Sequence, residues 1–310
     1  MSTWKKAVDD YIQLRRSLGF KLHDANRGLL NFAAFLKRRR TPHITIALAM
    51  KWAQKDQAAR PVEWARRLSF VRGFTRHWSA NDPHTEIPPW GLLPHRPNRA
   101  RPYIYSTKEV RQLLQAAKQL PPAHGLRART YYCLLGLLSV TGLRISEALN
   151  LQSEDVDLAE GILTIRCSKF GKSRLVPIHR STRKVLSAYA ARRDRFLAGR
   201  PATCFFVSKR GTRLDGGEVR RTFYNLSRQI GLRGASASHG PRLHDFRHRF
   251  AVQTLVQWYR SGQDVERRLP ILSTYLGHVH VADTYWYLSA CPELMGLAVK
   301  RLEEHWEEQP

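Results

Sequence analysis

Between Leu243 and Leu288 the chain gathers the side chains needed to grip a phosphodiester and attack it. His244 and Arg247 stand three residues apart in Leu243-His244-Asp245-Phe246-Arg247-His248, so a helix through this segment would present both on one face. Tyr275-Leu276-Gly277-His278 follows, and Tyr287 comes nine residues after His278. A guanidinium neutralises two non-bridging phosphate oxygens through its planar fork. An imidazole donates or shuttles a proton near neutral pH, and a phenol serves as a nucleophile. Singly, a His-x-x-Arg pair is usually a surface feature and Leu-Gly-His a common helix end. Their succession, closed by a tyrosine, is harder to obtain by chance.

A second arginine comes from upstream, in Thr141-Gly142-Leu143-Arg144-Ile145-Ser146-Glu147. Residues 127–140, with Leu134, Leu135, Leu137, Leu138 and Val140, are apolar nearly all round and predict a buried helix. Gly142 is expected to supply a positive φ at its end, so that Arg144 emerges from a rigid turn. Glu147, three residues on, is placed to hold the guanidinium by an ion pair.

Together these boxes resemble the tyrosine recombinase (phage integrase) family, in the same order and with similar separations, over roughly residues 103–290. The N-terminal part is similar by position only. The resemblance implies a mainly α fold with a small β-sheet: an N-terminal helical core-binding (SAM-like) domain over 1–82, a Pro-rich linker over 83–102, and an α+β catalytic domain over 103–310. It implies a site-specific recombinase or integrase that cleaves and rejoins DNA through a 3′-phosphotyrosyl intermediate, as in mobile-element integration and excision, with no metal, ATP or other cofactor.

In that scheme Arg144 and Arg247 stabilise the extra charge of the pentacoordinate transition state and His278 adds a hydrogen bond. His244 accepts the proton of the Tyr287 nucleophile, and Lys169 protonates the departing 5′ oxygen. Lys169 lies in the turn Ser168-Lys169-Phe170-Gly171-Lys172, where Lys172 is the alternative; without the resemblance both would read as solvent-facing. Tyr285 precedes the matching tyrosine by two residues, so Tyr287 rests on its spacing from His278. Asp283 stands where the family often has a threonine. The partners implied are double-stranded DNA, further copies of the chain in a tetrameric synapse, and an accessory or sister recombinase. A type IB topoisomerase would share the chemistry, but the helical N-terminal region and short length point to a recombinase. A DNA-binding regulator of the same fold would not need all six functional positions filled.

Composition agrees with a polyanionic partner. The 310 residues carry 52 Lys+Arg against 25 Asp+Glu, a formal charge of +27. Residues 1–100 hold 19 basic and 7 acidic side chains, and the remainder 33 and 18, so both regions are basic. Cys133, Cys167, Cys204 and Cys291 form no Cys-x-x-Cys, and the thirteen histidines show no zinc-finger spacing. With no signal-like N-terminus and no apolar run of about 18 residues, a soluble cytoplasmic, nucleoid-associated protein is expected, with no membrane contact.

The supporting elements follow from periodicity. Helices are expected at 4–18, 24–38, 44–57 and 62–79, then six prolines between Asn81 and Pro102 suggest a semi-rigid spacer. Ser106-Thr107-Lys108-Glu109 reads as a capping box opening a helix through about Lys118. Residues 161–165 and 174–178 read as a hairpin, and 181–197, 217–230, the stretch from His244 and 265–276 as helices. Pro292–Trp306 forms an amphipathic helix with Leu294, Ala298, Leu302 and Trp306 in one row, widened by Met295 and Val299. Such a stripe must be covered, either by its own domain or, as the resemblance implies, by a neighbouring subunit.

Overall fold

The computed structural model describes residues 3–93, 101–122, 125–167, 171–237, 239–288 and 291–307. The chain divides into two units, Met1–Ala100 and Arg101–Pro310.

The N-terminal unit is built from α1 (Thr3–Ser17), α2 (His23–Arg39), α3 (Ile46–Ala53) and α4 (Pro61–Trp78). Leu29, Phe32, Ala33 and Leu36 repeat at helical spacing on α2 and are buried with Trp52 of α3 and Leu68, Val71 and Phe74 of α4. Helix α3 is shorter than the expected 44–57. Thr45 stays extended and its hydroxyl accepts the Leu48 N–H at 3.2 Å, which starts the helix two residues later. At the other end the Asp56 carbonyl accepts from the Trp64 indole at 2.8 Å rather than from a continuing helix.

The proline-dense stretch does not run free through its described part. A proline lacks an N–H but keeps its carbonyl, and Pro88 and Pro89 accept from Arg72 Nε (2.7 Å) and Nη2 (2.8 Å). The same guanidinium lies 4.3 Å from the Trp90 ring centroid, and Leu93 joins the buried core of this unit.

The C-terminal unit begins with α5 (Thr107–Lys118), whose capping box is present: Ser106 Oγ accepts the Glu109 N–H, and Glu109 accepts the Ser106 N–H at 2.7 Å. Next come the buried α6 (Leu126–Thr141) and the short α7 (Ile145–Asn150). The sheet is antiparallel throughout, in the order β1 (Val156–Asp157), β2 (Ile162–Ile165), β3 (Arg174–Pro177). Leu163 pairs with Val156 on one side and Val176 on the other, so the three apolar side chains face the core together. The first strand was not expected; two residues are too few to show a period. Then follow α8 (Arg180–Leu197), α9 (Gly216–Gln229), α10 (Asp245–Arg260), α11 (Val265–Leu276), α12 (Ala282–Tyr285) and α13 (Pro292–Glu307). The fold is thus mainly helical with a small sheet.

Helix α10 joins two apolar clusters. Phe246 belongs to the larger one, with α5, α6 and the sheet, whereas Ala251, Val252 and Leu255 belong to a second one with α11, Tyr287 and Leu294 of α13. The first turns of α10 therefore lie at the seam between the clusters, and that seam carries the polar residues described next. Among the described residues no helix is long and apolar enough to cross a membrane.

Candidate active site

Two helix ends frame the site. Gly142 closes α6 with φ +61°, and a Cβ there would stand 2.7 Å from Cδ1 of Phe250, so only glycine fits both the backbone and the space. Arg144 follows in an extended conformation. Its Nη1 donates to Glu147 Oε1 at 2.7 Å, and its Nη2 reaches the Gly277 carbonyl at 3.2 Å. Gly277 ends α11 with φ +69°, and the next N–H, that of His278, returns to the Ser273 carbonyl at 3.0 Å, fixing where His278 leaves the helix.

Glu147 is buried and holds two arginines. Its oxygens also accept from Arg174 Nη1 (3.1 Å) and Nη2 (2.9 Å), a two-bonded fork, while Arg174 Nε donates to the Tyr275 carbonyl at 2.7 Å. Burial alone would raise the Glu147 carboxyl; hydrogen bonds and charge from Arg174, helped by Arg144, overcome it and hold the carboxyl below its usual range. Arg174 was read from sequence only as a strand residue. It sits so close to Gly277 that a Cβ there would lie 2.8 Å from its Nη1.

Arg247 projects from the first turn of α10 and is 1% exposed. Nη1 donates to the Gly142 carbonyl (3.0 Å) and Nη2 to the Leu276 carbonyl (2.6 Å), so Arg247 and Arg144 grip adjacent carbonyls at the end of α11. Burial lowers Arg247 to about 10, which leaves it cationic at neutral pH, and the Tyr287 phenol lies within its hydrogen-bonding reach. Arg144, Arg174 and Arg247 surround one buried carboxylate, Glu147. Three positive charges against one negative leave a surplus of two, directed at an anion.

Tyr287 is 3% exposed and stacks on His278, with ring centroids 5.9 Å and planes 19° apart. His278 Nδ1 pairs with the Thr284 hydroxyl at 2.8 Å. On another side His248 meets Tyr287 edge-on at 5.4 Å, and His244 meets His248 edge-on at 5.0 Å. Burial, then the nearby charge of Arg247, lowers His278 to about 4; burial, then His244, lowers His248 to about 4; burial, then Arg247, lowers His244. All three rings are therefore neutral near pH 7 and able to accept a proton. His248 Nδ1 is buried without a hydrogen-bond partner.

The structure thus brings Arg144, Arg247, His278 and Tyr287 together, with His244 one ring further away. Lys169 lies outside the described residues. Lys172 is described, and its Nζ donates to the His278 carbonyl at 3.4 Å. Tyr285 is 53% exposed, in contrast to Tyr287. Arg174, His248 and Thr284 are residues that sequence reasoning passed over. The only hint at Arg174 was a basic residue opening an otherwise apolar strand, and His248 carried the hint of its i+4 spacing from His244.

Known proteins carry the same pattern. Residues 105–293 match the model of the phage integrase family. The chain belongs to that family. It is 58% identical, over the full length of both chains, to a putative integrase/recombinase, y4rB, of Sinorhizobium fredii. It is 32% identical to the tyrosine recombinase XerD of Mycobacterium tuberculosis, over 73% of this chain and 69% of that one. Its fold matches a lambda integrase tetramer bound to a Holliday junction with a TM-score of 0.61 at 18% identity, covering 92% of this chain and 77% of the other. This integrase-family chain is accordingly a tyrosine-type recombinase, an enzyme that breaks and rejoins DNA strands.

Proposed function

We propose that the chain cleaves a specific DNA site by attack of the Tyr287 oxygen on phosphorus and rejoins the strand to a different partner. The observation that carries this reading is the position of Tyr287, with its phenol against Arg247 and its ring on His278, while Tyr285 faces solvent. As the Tyr287 O–P bond forms and the P–O5′ bond breaks, charge grows on the non-bridging oxygens. Arg144 and Arg247 are already held by carbonyls and by Glu147, so they receive that charge without reorganising. The phenol proton passes to a neutral imidazole, either His244 or its neighbour His248, and His278 donates a hydrogen bond to a phosphate oxygen. The leaving 5′ oxygen takes a proton from the turn between β2 and β3, from Lys169 or from Lys172. The phosphotyrosyl ester conserves the energy of the broken bond, so the step is reversible and consumes no nucleotide.

The partner DNA is double-stranded, and four copies of the chain would act on two duplexes, as the tetrameric lambda integrase assembly suggests. The basic N-terminal region, with 19 basic side chains over residues 1–100, would clamp the duplex and the C-terminal unit would carry the chemistry. A role in the movement of a mobile element, carried out in the cytoplasm, fits the integrase-like relatives. The test is a DNA substrate nicked beside the cleavage site, which traps the covalent intermediate. A 3′-phosphotyrosyl adduct at Tyr287 and strand joining between two duplexes support the reading. Relaxation of supercoils without joining would indicate a topoisomerase, and binding without an adduct a regulator.

A further inference from the structure

Within the N-terminal unit, three metal-ligating side chains from two separate segments come together. His43 lies in the connection between α2 and α3, and Asp82 and His84 lie in the turn after α4. His43 Nδ1 stands 2.9 Å from Asp82 Oδ1 and 3.1 Å from Oδ2, and His84 Nδ1 stands 3.6 Å from that same Oδ1. The two imidazole centroids are 4.6 Å apart, and one ligand atom from each of the three residues fits within 4.8 Å of the others.

A simple ion pair explains part of this arrangement. His43 at 2.9 Å is an ordinary hydrogen-bonding partner of the carboxylate. His84 is not, because 3.6 Å is too long for such a bond. Donor atoms held at about 2.0–2.1 Å by one tetrahedral ion lie roughly 3.3 Å from one another. The two separations from Asp82 Oδ1, 2.9 and 3.6 Å, bracket that value, and the imidazoles bring their ligand atoms within 4.8 Å of each other, a gap that rotation of the exposed His84 ring can close.

The carboxylate is also held from behind. The Thr85 hydroxyl donates to Asp82 Oδ2 at 2.6 Å and the His84 N–H to Oδ1 at 3.1 Å, an arrangement that fixes the orientation of a ligating carboxylate. Asp82 is 13% exposed at its side chain while His84 is 76% exposed, so the base of the cluster is rigid and its outer ring is open to an arriving ion.

We propose that His43, Asp82 and His84 bind one divalent transition-metal ion of the zinc type, with water in the remaining position. Two imidazoles and one carboxylate suit such an ion better than Mg2+ or Ca2+, which take oxygen ligands. The role is structural. The same two segments are already tied by the Glu86 N–H to the Ile44 carbonyl at 2.8 Å and by the Ile46 N–H to Glu86 Oε2 at 2.6 Å. The ion would take the place of the direct His43–Asp82 hydrogen bond and bring His84 into the same link across 39 residues of chain, locking the start of α3 to the exit of α4. It takes no part in strand cleavage.

The test uses the full chain, freed of metal with a chelator and titrated with ZnCl2 by calorimetry, with thermal unfolding measured in parallel. The wild type should bind one more equivalent than His84→Ala and should gain several degrees in Tm that this variant does not. His84 is largely exposed, so its replacement leaves the core intact. Asp82→Asn should lose the same equivalent. Equal stoichiometry and equal Tm gain in wild type and His84→Ala would overturn the proposal, as would a wild type that binds no Zn2+ at micromolar concentration.

Discussion

Tyr287 stacks on His278 with planes only 19° apart and meets His248 edge-on, and its hydroxyl lies beside Arg247 instead of in solvent. The nucleophile is thus stored in the site, next to the guanidinium that must later meet the phosphate. Replacing Tyr287 by Phe keeps the ring and its stacking and removes only the oxygen. Covalent adduct formation should fall by a factor on the order of 10⁴ or more, with site-specific DNA binding nearly unchanged. Tyr285→Phe should retain the adduct, because that phenol is exposed and touches none of the arginines named above. A trapped adduct in Tyr287→Phe, read on a denaturing gel, would refute the assignment.

Arg174 offers a sharper test of the support around the site. It shares the buried Glu147 with Arg144, and removing one partner leaves a buried carboxylate short of hydrogen bonds, at a cost of about 3–5 kcal/mol. Arg174→Met should therefore lower Tm by several degrees and slow cleavage, while DNA affinity changes little. Arg174→Lys restores charge but not the two-bonded fork, so it should recover part of the stability and less of the rate. If Arg174→Met matched the wild type in single-turnover cleavage, Glu147 would not need its second partner to orient Arg144.

The chemistry was legible in the sequence where it depends on short spacing. Arg144 with Glu147 three residues on, the turn glycine at 142 and the His278-to-Tyr287 interval can all be read along the chain. Arg174 could not be read in that way. Its partners lie 27 residues away at Glu147 and 101 residues away at Tyr275, and no local pattern marks such a link. The same limit applies to the prolines after α4. Their missing N–H groups are visible in sequence, but the Arg72 that takes two of their carbonyls is 16 and 17 residues back. His248 was quoted beside Arg247, and its spacing from His244 is local, yet only the packing of α10 against the Tyr287 segment brings it to the nucleophile.

Acid should destabilise the fold through the same rings. His248 and His278 titrate near 4 in the folded chain against about 6.5 when unfolded, so below 6.5 the unfolded state binds more protons. Stability should be full above about pH 6.5 and fall as pH drops toward 4, with the buried His248 contributing more of the loss than the partly exposed His278. His248→Phe removes one of these groups and should flatten the loss between pH 6.5 and 4, as followed by chemical unfolding at several pH values. An unchanged slope would mean that His248 titrates normally. The same variant reports on proton transfer: if His248 accepts the phenol proton, adduct formation should slow at least tenfold, and if His244 does, the rate should stay within a few-fold.

The last expectation concerns α13. In the chain by itself this helix covers part of its stripe in cis, since Leu294 is fully buried against α10 and Arg260 donates to Glu293 Oε1 at 2.6 Å. Another part is exposed: Met295, Val299 and Leu302 are each nearly half exposed, at positions i, i+4 and i+7 of one helical face. Leu294 faces the fold and these three face away, so the two faces can be tested separately. Leu294→Ala empties buried space and should lower stability by about 2–5 kcal/mol. Replacing Met295, Val299 and Leu302 together by glutamine removes no buried contact of comparable size, so Tm should change by no more than a few degrees. If a neighbouring copy covers this second face in the two-duplex assembly, the triple variant should bind a single site normally, as seen by gel shift. It should then fail to bring two duplexes together, and recombinant product should drop at least tenfold. Normal synapsis by the triple variant would show that copies of the chain meet through some other surface.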